Sequence, residues 1–129
     1  MASAGSSPQL FFDTAAAYQR TEVLRAALQL DVFEALADGA CSAADLSNRC
    51  ATSERGMRVL CDTLTVLGFL TKSAAQYALT LDSASFLLRR SPTCVTGTLE
   101  FLHAAGVVDA YRDVATAVRK AARHVRRVA

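Results

Sequence analysis

The sequence predicts a mainly α, winged-helix-like domain with a short two-stranded β-hairpin and extra N- and C-terminal helices. Three observations carry this expectation. Glu54 to Leu67 sets Met57, Leu60, Cys61, Leu64 and Leu67 at i, i+3, i+4, i+7 and i+10, the apolar face of one helix. A shorter helix with Ser42 as N-cap comes just before it, Asp45 standing three residues on in the manner of a capping box. After Gly68 the apolar period changes: Phe69 to Lys72 and Tyr77 to Thr80 flank a small turn, Ser73 to Gln76, which reads as two strands and a hairpin.

The remaining elements follow in order. Ser7 and Pro8 suit a helix entry, because a proline in the first turn lacks an amide hydrogen that would have no partner anyway. Leu10, Phe11, Phe12, Ala15 and Ala16 begin an apolar stripe, and Val23, Leu24, Ala27 and Leu28 continue it on a second segment after Thr21. A third short helix carries Leu30, Val32, Phe33 and Leu36 and should stop at Gly39. These first helices are apolar on more than one side, so something beyond their own face must bury them. In a chain this short, a second copy of itself would serve. Leu46 and Cys50 supply the buried face of the Ser42-capped helix, Ala51 and Thr52 the turn, and Ser53 the next cap. Beyond the hairpin, Asp82 and Ser83 can cap a helix over Ala84 to Arg89 before Ser91-Pro92 breaks the chain. Two further helices are expected, Val95 to Ala105 and one from Val107 onward with Val108, Tyr111, Val114, Ala115, Val118, Ala122 and Val125 on one side and arginines on the other.

Composition bounds the function. With 129 residues, 52% of them apolar and 20% charged, the chain is long enough to bury a core without a metal or disulfide staple. The glycines are too scattered for a G-x-G-x-x-G fingerprint or a Walker loop. Cys41, Cys50, Cys61 and Cys94 include no C-x-x-C pair, and His103 and His124 are the sole histidines, so no zinc site is expected. Free thiols, an N-terminus without positive charge and the lack of a membrane-length apolar run point to a cytoplasmic protein. From Arg112 onward six basic residues face one acid, a net +5, while the first 111 residues hold eight basic residues and eleven acids. A mildly acidic body thus carries a basic end, Arg119, Lys120, Arg123, Arg126 and Arg127.

Several stretches together resemble the N-terminal dimerisation domain of S-adenosylmethionine-dependent small-molecule O-methyltransferases. They are Ala26-Ala27-Leu28-Gln29-Leu30-Asp31-Val32-Phe33-Glu34-Ala35-Leu36-Ala37, in which the family usually has glycine at the place of Asp31, and Ser42-Ala43-Ala44-Asp45-Leu46. Arg55-Gly56-Met57-Arg58-Val59-Leu60-Cys61-Asp62-Thr63-Leu64, Leu67-Gly68-Phe69-Leu70-Thr71 and Tyr77-Ala78-Leu79-Thr80 complete the likeness, which runs from about residue 10 to about 118. It implies a homodimer made by interleaved N-terminal helices and one wall of a pocket for a small aromatic or polyketide-type acceptor. In the family a second, Rossmann-like domain binds the methyl donor and supplies the catalytic residue. No such segment is read in these 129 residues, so the chain alone is expected to bind no cofactor and to be no enzyme, with S-adenosylmethionine bound only if a catalytic domain is supplied. The implied organisation is a flexible start over 1–8, the dimerisation domain over 9–118 and a basic helix or tail over 119–129.

Candidate residues follow from these readings. Leu10, Phe11, Phe12, Tyr18, Val23 and Leu24 are expected at the dimer interface, the alternative being that they close the subunit's own core. Phe101, Leu102, His103 and Tyr111 are the expected pocket wall; His103 has no group at a spacing that would orient it as a base. Asp109 and Asp113 beside Arg112 read as an exposed helix pair, and no catalytic or metal-binding residue is named. The alternatives are a winged-helix DNA-binding regulator and a stand-alone ligand-binding domain. Against the first, the would-be reading helix offers Glu54, Arg55, Arg58, Asp62 and Thr65 and the wing only Lys72, a nearly neutral face for a phosphate backbone.

Overall fold

A computed structural model describes residues 5–120. Met1 to Ala4 of the expected flexible start, and residues 121–129 of the expected basic end, lie outside the described residues. The chain divides into two units, Met1–Cys94 and Val95–Ala129.

The first unit opens with α1 (Gln9–Ala15) and α2 (Ala17–Gln29). The boundary between them falls four residues earlier than Thr21 suggests. Ala16, at φ −96° and ψ 1°, lies outside helical geometry and ends α1, although hydrogen bonds still span it, Ala16 N–H to Phe12 C=O and Gln19 N–H to Ala16 C=O, both 3.0 Å. The short α3 (Val32–Ala35) ends well before Gly39. Two buried residues, Val32 and Phe33, and the buried Leu36 just after it draw the segment into the core, and the chain then leaves through successive turns.

Next comes β1 (Cys41–Ser42), a strand the sequence reading did not contain, followed by α4 (Ala43–Cys50) and α5 (Glu54–Leu67). A two-residue strand has no periodicity to read; it exists because β3 (Gln76–Leu79) pairs with it, Cys41 opposite Tyr77. The expected caps are in place. Ser42 Oγ accepts from Asp45 N–H at 3.1 Å, and Ser53 Oγ from Gly56 N–H at 2.9 Å, each satisfying an amide with no partner in its helix. Gly68 closes α5 at φ +99°, the left-handed geometry that glycine adopts without strain.

The hairpin consists of β2 (Leu70–Ser73) and β3, shifted one residue from expectation, and its turn shrinks to Ala74-Ala75. The result is a three-stranded antiparallel sheet in the order β1-β3-β2 rather than an isolated pair. α6 (Leu81–Phe86) starts earlier than Asp82-Ser83 implied, because Thr80 is the cap, its Oγ1 accepting from Ser83 N–H at 3.3 Å. Ser83 is instead buried, its hydroxyl donating to Phe69 C=O at 2.7 Å.

One core joins these elements. Ala27 of α2, Val32 and Phe33 of α3, Leu46 of α4, Met57, Cys61 and Leu64 of α5, and Leu70 and Tyr77 of the sheet are almost fully buried together. Leu87 and Leu88 close it from beyond α6. Arg89 ties that segment back to α3, pairing with Asp31 at 2.8 Å while its amide donates to Glu34 at 2.8 Å.

The second unit holds α7 (Thr96–Leu102), α8 (Ala105–Arg112) and a helical stretch over 114–120. α8 and that stretch were expected as one helix. Asp113, at φ −136° and ψ 64°, breaks them and caps the second, accepting from Thr116 N–H at 3.3 Å and from its hydroxyl at 2.6 Å. Asp113 is therefore a cap and not a member of an exposed pair; Asp109 alone reaches Arg112, at 3.4 Å.

Candidate dimerisation surface

α1 buries none of its residues. Its apolar side chains stand in solvent, Leu10 80%, Phe11 69% and Phe12 59% exposed, with Tyr18 at the start of α2 64% exposed. Phe11 and Phe12 lean edge-to-face at 5.3 Å. Val23 and Leu24 differ: both are half-buried and pack against this subunit's own core. The six residues picked as an interface thus split into four that the fold leaves uncovered and two that it uses itself.

Beside them lies a depression of about 220 Å³ lined by Arg20, Thr21, Leu24, Leu67 and Phe69. Sequence reading missed it, because its floor joins α2 to the end of α5 and the residue before β2, more than 40 positions later. Phe69 holds its place by packing edge-on against the buried Phe33 at 6.3 Å.

On the face of α5 and the wing that a winged helix would offer to DNA, Arg55 stands exposed while the other two cations are paired internally. Arg58 pairs with Glu54 at 2.8 Å, and Lys72 of the wing with Asp62 at 2.8 Å. Thr65 turns its hydroxyl back to Cys61 C=O, while Val59 and Val66 stand exposed on the same helix.

In the second unit Phe101, Leu102 and Tyr111 are exposed and His103 is half-buried. Among the described residues there is no cluster of histidine, cysteine and carboxylate side chains fit to hold a metal ion, and no helix is long and apolar enough to cross a membrane. All four cysteines are unbridged. Burial pushes the Cys61 thiol up to about 12, the behaviour of a core residue and not of a nucleophile.

Comparison with known proteins matches this arrangement. The O-methyltransferase dimerisation domain family aligns with residues 12–90. Over 95 residues the chain is 30% identical to a 3-hydroxy-5-methyl-1-naphthoate 3-O-methyltransferase of Streptomyces sahachiroi, an alignment covering 74% of this chain and 28% of that protein. Among solved structures, a candidate O-methyltransferase from Nostoc punctiforme superposes with a TM-score of 0.85 at 46% identity, covering 90% of this chain and 36% of that one. Human N-acetylserotonin methyltransferase, solved with SAM, gives 0.76 at 28% identity, over 92% of this chain and 36% of that one. The chain therefore spans about a third of the length of the relatives it matches. A helix pair, a small sheet and a family pattern laid over most of the first unit lead to one conclusion: the chain belongs to the O-methyltransferase dimerisation domain family.

Proposed function

We propose that this chain is a homodimerisation module, joining two copies through α1 and the start of α2. The observation that carries the reading is the helix α1 itself, which presents Leu10, Phe11 and Phe12 to water and buries nothing of its own. Covering one such side chain is worth about 1.5–3 kcal/mol. Six of them, three from each copy, contribute on the order of 10 kcal/mol, which is comparable with the cost of association itself and leaves little surplus. α1 by itself is therefore too small an interface, and Tyr18 and neighbouring parts of α2 belong to it as well.

The test is mass in solution. Light scattering at about 10 μM, a range in which an interface of obligate type persists, is expected to give twice the 13.7 kDa chain mass. Leu10→Ser combined with Phe11→Ser is expected to give a monomer with an unchanged circular dichroism spectrum, since neither residue is buried. A monomeric mass for the well-folded unsubstituted chain would overturn the proposal.

In the same reading Phe101, Leu102, His103 and Tyr111 form one wall of an acceptor pocket, for which the exposed aromatic surface and the naphthoate acceptor named for the Streptomyces relative are the support. S-adenosylmethionine and the catalytic step belong to a catalytic domain and not to residues of this chain. The unbridged cysteines support a reducing compartment such as the cytoplasm. DNA is disfavoured as a partner, because the internal pairing of Arg58 and Lys72 leaves little charge on α5 and the wing to neutralise phosphates.

A further inference from the structure

We infer that two copies of the chain pair their α1–α2 segments antiparallel about a two-fold axis between Ala16 and Ala17, seating Phe12 of each copy in the other's depression and Asp13 of each against the other's Arg20. The inference rests on the self-association proposed above and supplies its register.

Charge points to it first. α1 and α2 carry four charged side chains, Asp13, Arg20, Glu22 and Arg25. Glu22 and Arg25 satisfy each other at 2.9 Å. Asp13 and Arg20 are both exposed, and among the described residues neither has an ion-pair partner; Asp13 accepts only from the neutral Gln9 side chain, at 2.7 Å. They lie seven residues apart on either side of the break at Ala16, a rise of roughly 10 Å at helical spacing, too far apart to pair within one copy.

Symmetry then makes the two charges complementary. In an isologous contact the patch that one copy offers is the patch it receives. With the axis between Ala16 and Ala17, Asp13 of one copy faces Arg20 of the other and Phe12 faces Thr21. Ala15, Ala16 and Ala17 stand at the crossing, where small side chains let two helices approach closely.

Shape is the third argument. Thr21 and Arg20 rim the depression, whose floor is the apolar Leu24, Leu67 and Phe69. Its volume of about 220 Å³ suits one aromatic ring, an apolar cavity of about 150 Å³ being enough to take up benzene. Phe12 is the exposed aromatic that this register brings over it.

Charge reversal tests the register, and every substituted residue is exposed. In the 129-residue chain, Asp13→Arg and Arg20→Asp each place two like-charge contacts in a homodimer. Each is expected to raise the dimer dissociation constant about tenfold or more by sedimentation equilibrium. Mixed in equal amounts, the two variants form a heterodimer whose contacts are both of opposite sign. That mixture is expected to recover the unsubstituted affinity to within about threefold and to show the mixed species by native mass spectrometry. Single variants that dimerise as tightly as the unsubstituted chain, or a mixture that forms no heterodimer, would overturn the register while a dimeric unsubstituted chain upheld self-association. A monomeric unsubstituted chain would overturn both.

Discussion

Asp62 links the sheet to the helix pair through one carboxylate. Its Oδ1 accepts from Lys72 at 2.8 Å and from the Tyr77 hydroxyl at 2.6 Å, and the Lys72 ammonium lies 5.1 Å from the centre of the Tyr77 ring. The hydrogen bonds from Lys72 and then Tyr77 hold the Asp62 carboxyl below its ordinary range. Because the folded pKa is the lower one, the stabilisation is present above the unfolded value and is lost as pH falls through the folded one. Burial and then the bond to Asp62 raise Tyr77, and its own hydrogen bond to Asp62 and then that with Tyr77 raise Lys72, so their stabilisation is present at neutral pH and lost as pH climbs through their folded values. Urea midpoints are expected to hold steady between these limits, falling on the acid side below about pH 4 and on the alkaline side above about pH 10. Asp62→Asn should flatten the acid limb; an unchanged acid limb in that variant would remove Asp62 as its cause. Residues of this kind were partly legible. Ser42 and Ser53 could be read as caps because a hydroxyl before an apolar run has one local use, whereas the choice of Thr80 over Ser83 depended on Phe69 C=O, which only the folded chain brings near. Asp31, where the resembling sequences carry glycine, adopts φ +59°, a left-handed value that aspartate tolerates better than most residues.

At the scale of elements the hairpin is the weak point. Ala74 and Ala75 both have positive φ, 50° and 60°, so a two-residue turn of the I′ kind is built from residues that resist it. Each left-handed alanine costs about 1 kcal/mol or more, offset in part by the greater freedom glycine has when unfolded. Ala74→Asn with Ala75→Gly is expected to stabilise the chain by about 1 kcal/mol, read as a higher urea midpoint with unchanged slope; a midpoint that stays put or falls would show that the turn stores no such strain. The same turn explains the one-residue error in strand placement. No glycine or asparagine marks the corner, and alternation alone does not say where pairing begins. The long α5 was readable end to end because periodicity, a serine cap and Gly68 agree, while the break at Asp113 was not, since aspartate fits equally as a helix residue or as a cap.

For the whole molecule the arrangement that matters is a well-buried core beside an uncovered helix. If α1 is covered by a second copy, unfolding releases two chains and stability depends on concentration. The melting temperature of the unsubstituted chain is then expected to rise by a few degrees for each tenfold increase in protein concentration, as about 1.4 kcal/mol of mass action is added. That dependence should vanish in the Leu10→Ser, Phe11→Ser chain, and a melting temperature independent of concentration in the unsubstituted chain would speak against the dimer. By itself the sequence determined the helix–turn–helix–hairpin order, the two serine caps, the core face of α5 and the family, because all of these are written in local periodicity and in residues with one structural use. Tertiary structure alone decided that Val23 and Leu24 serve the subunit's own core while Leu10, Phe11, Phe12 and Tyr18 do not, that Cys41 and Ser42 form a strand, and that Leu67 and Phe69 come to lie beside Arg20. The reason is physical: an apolar side chain carries the same drive to leave water wherever it stands, and only the packing of distant segments settles which ones find cover within the chain.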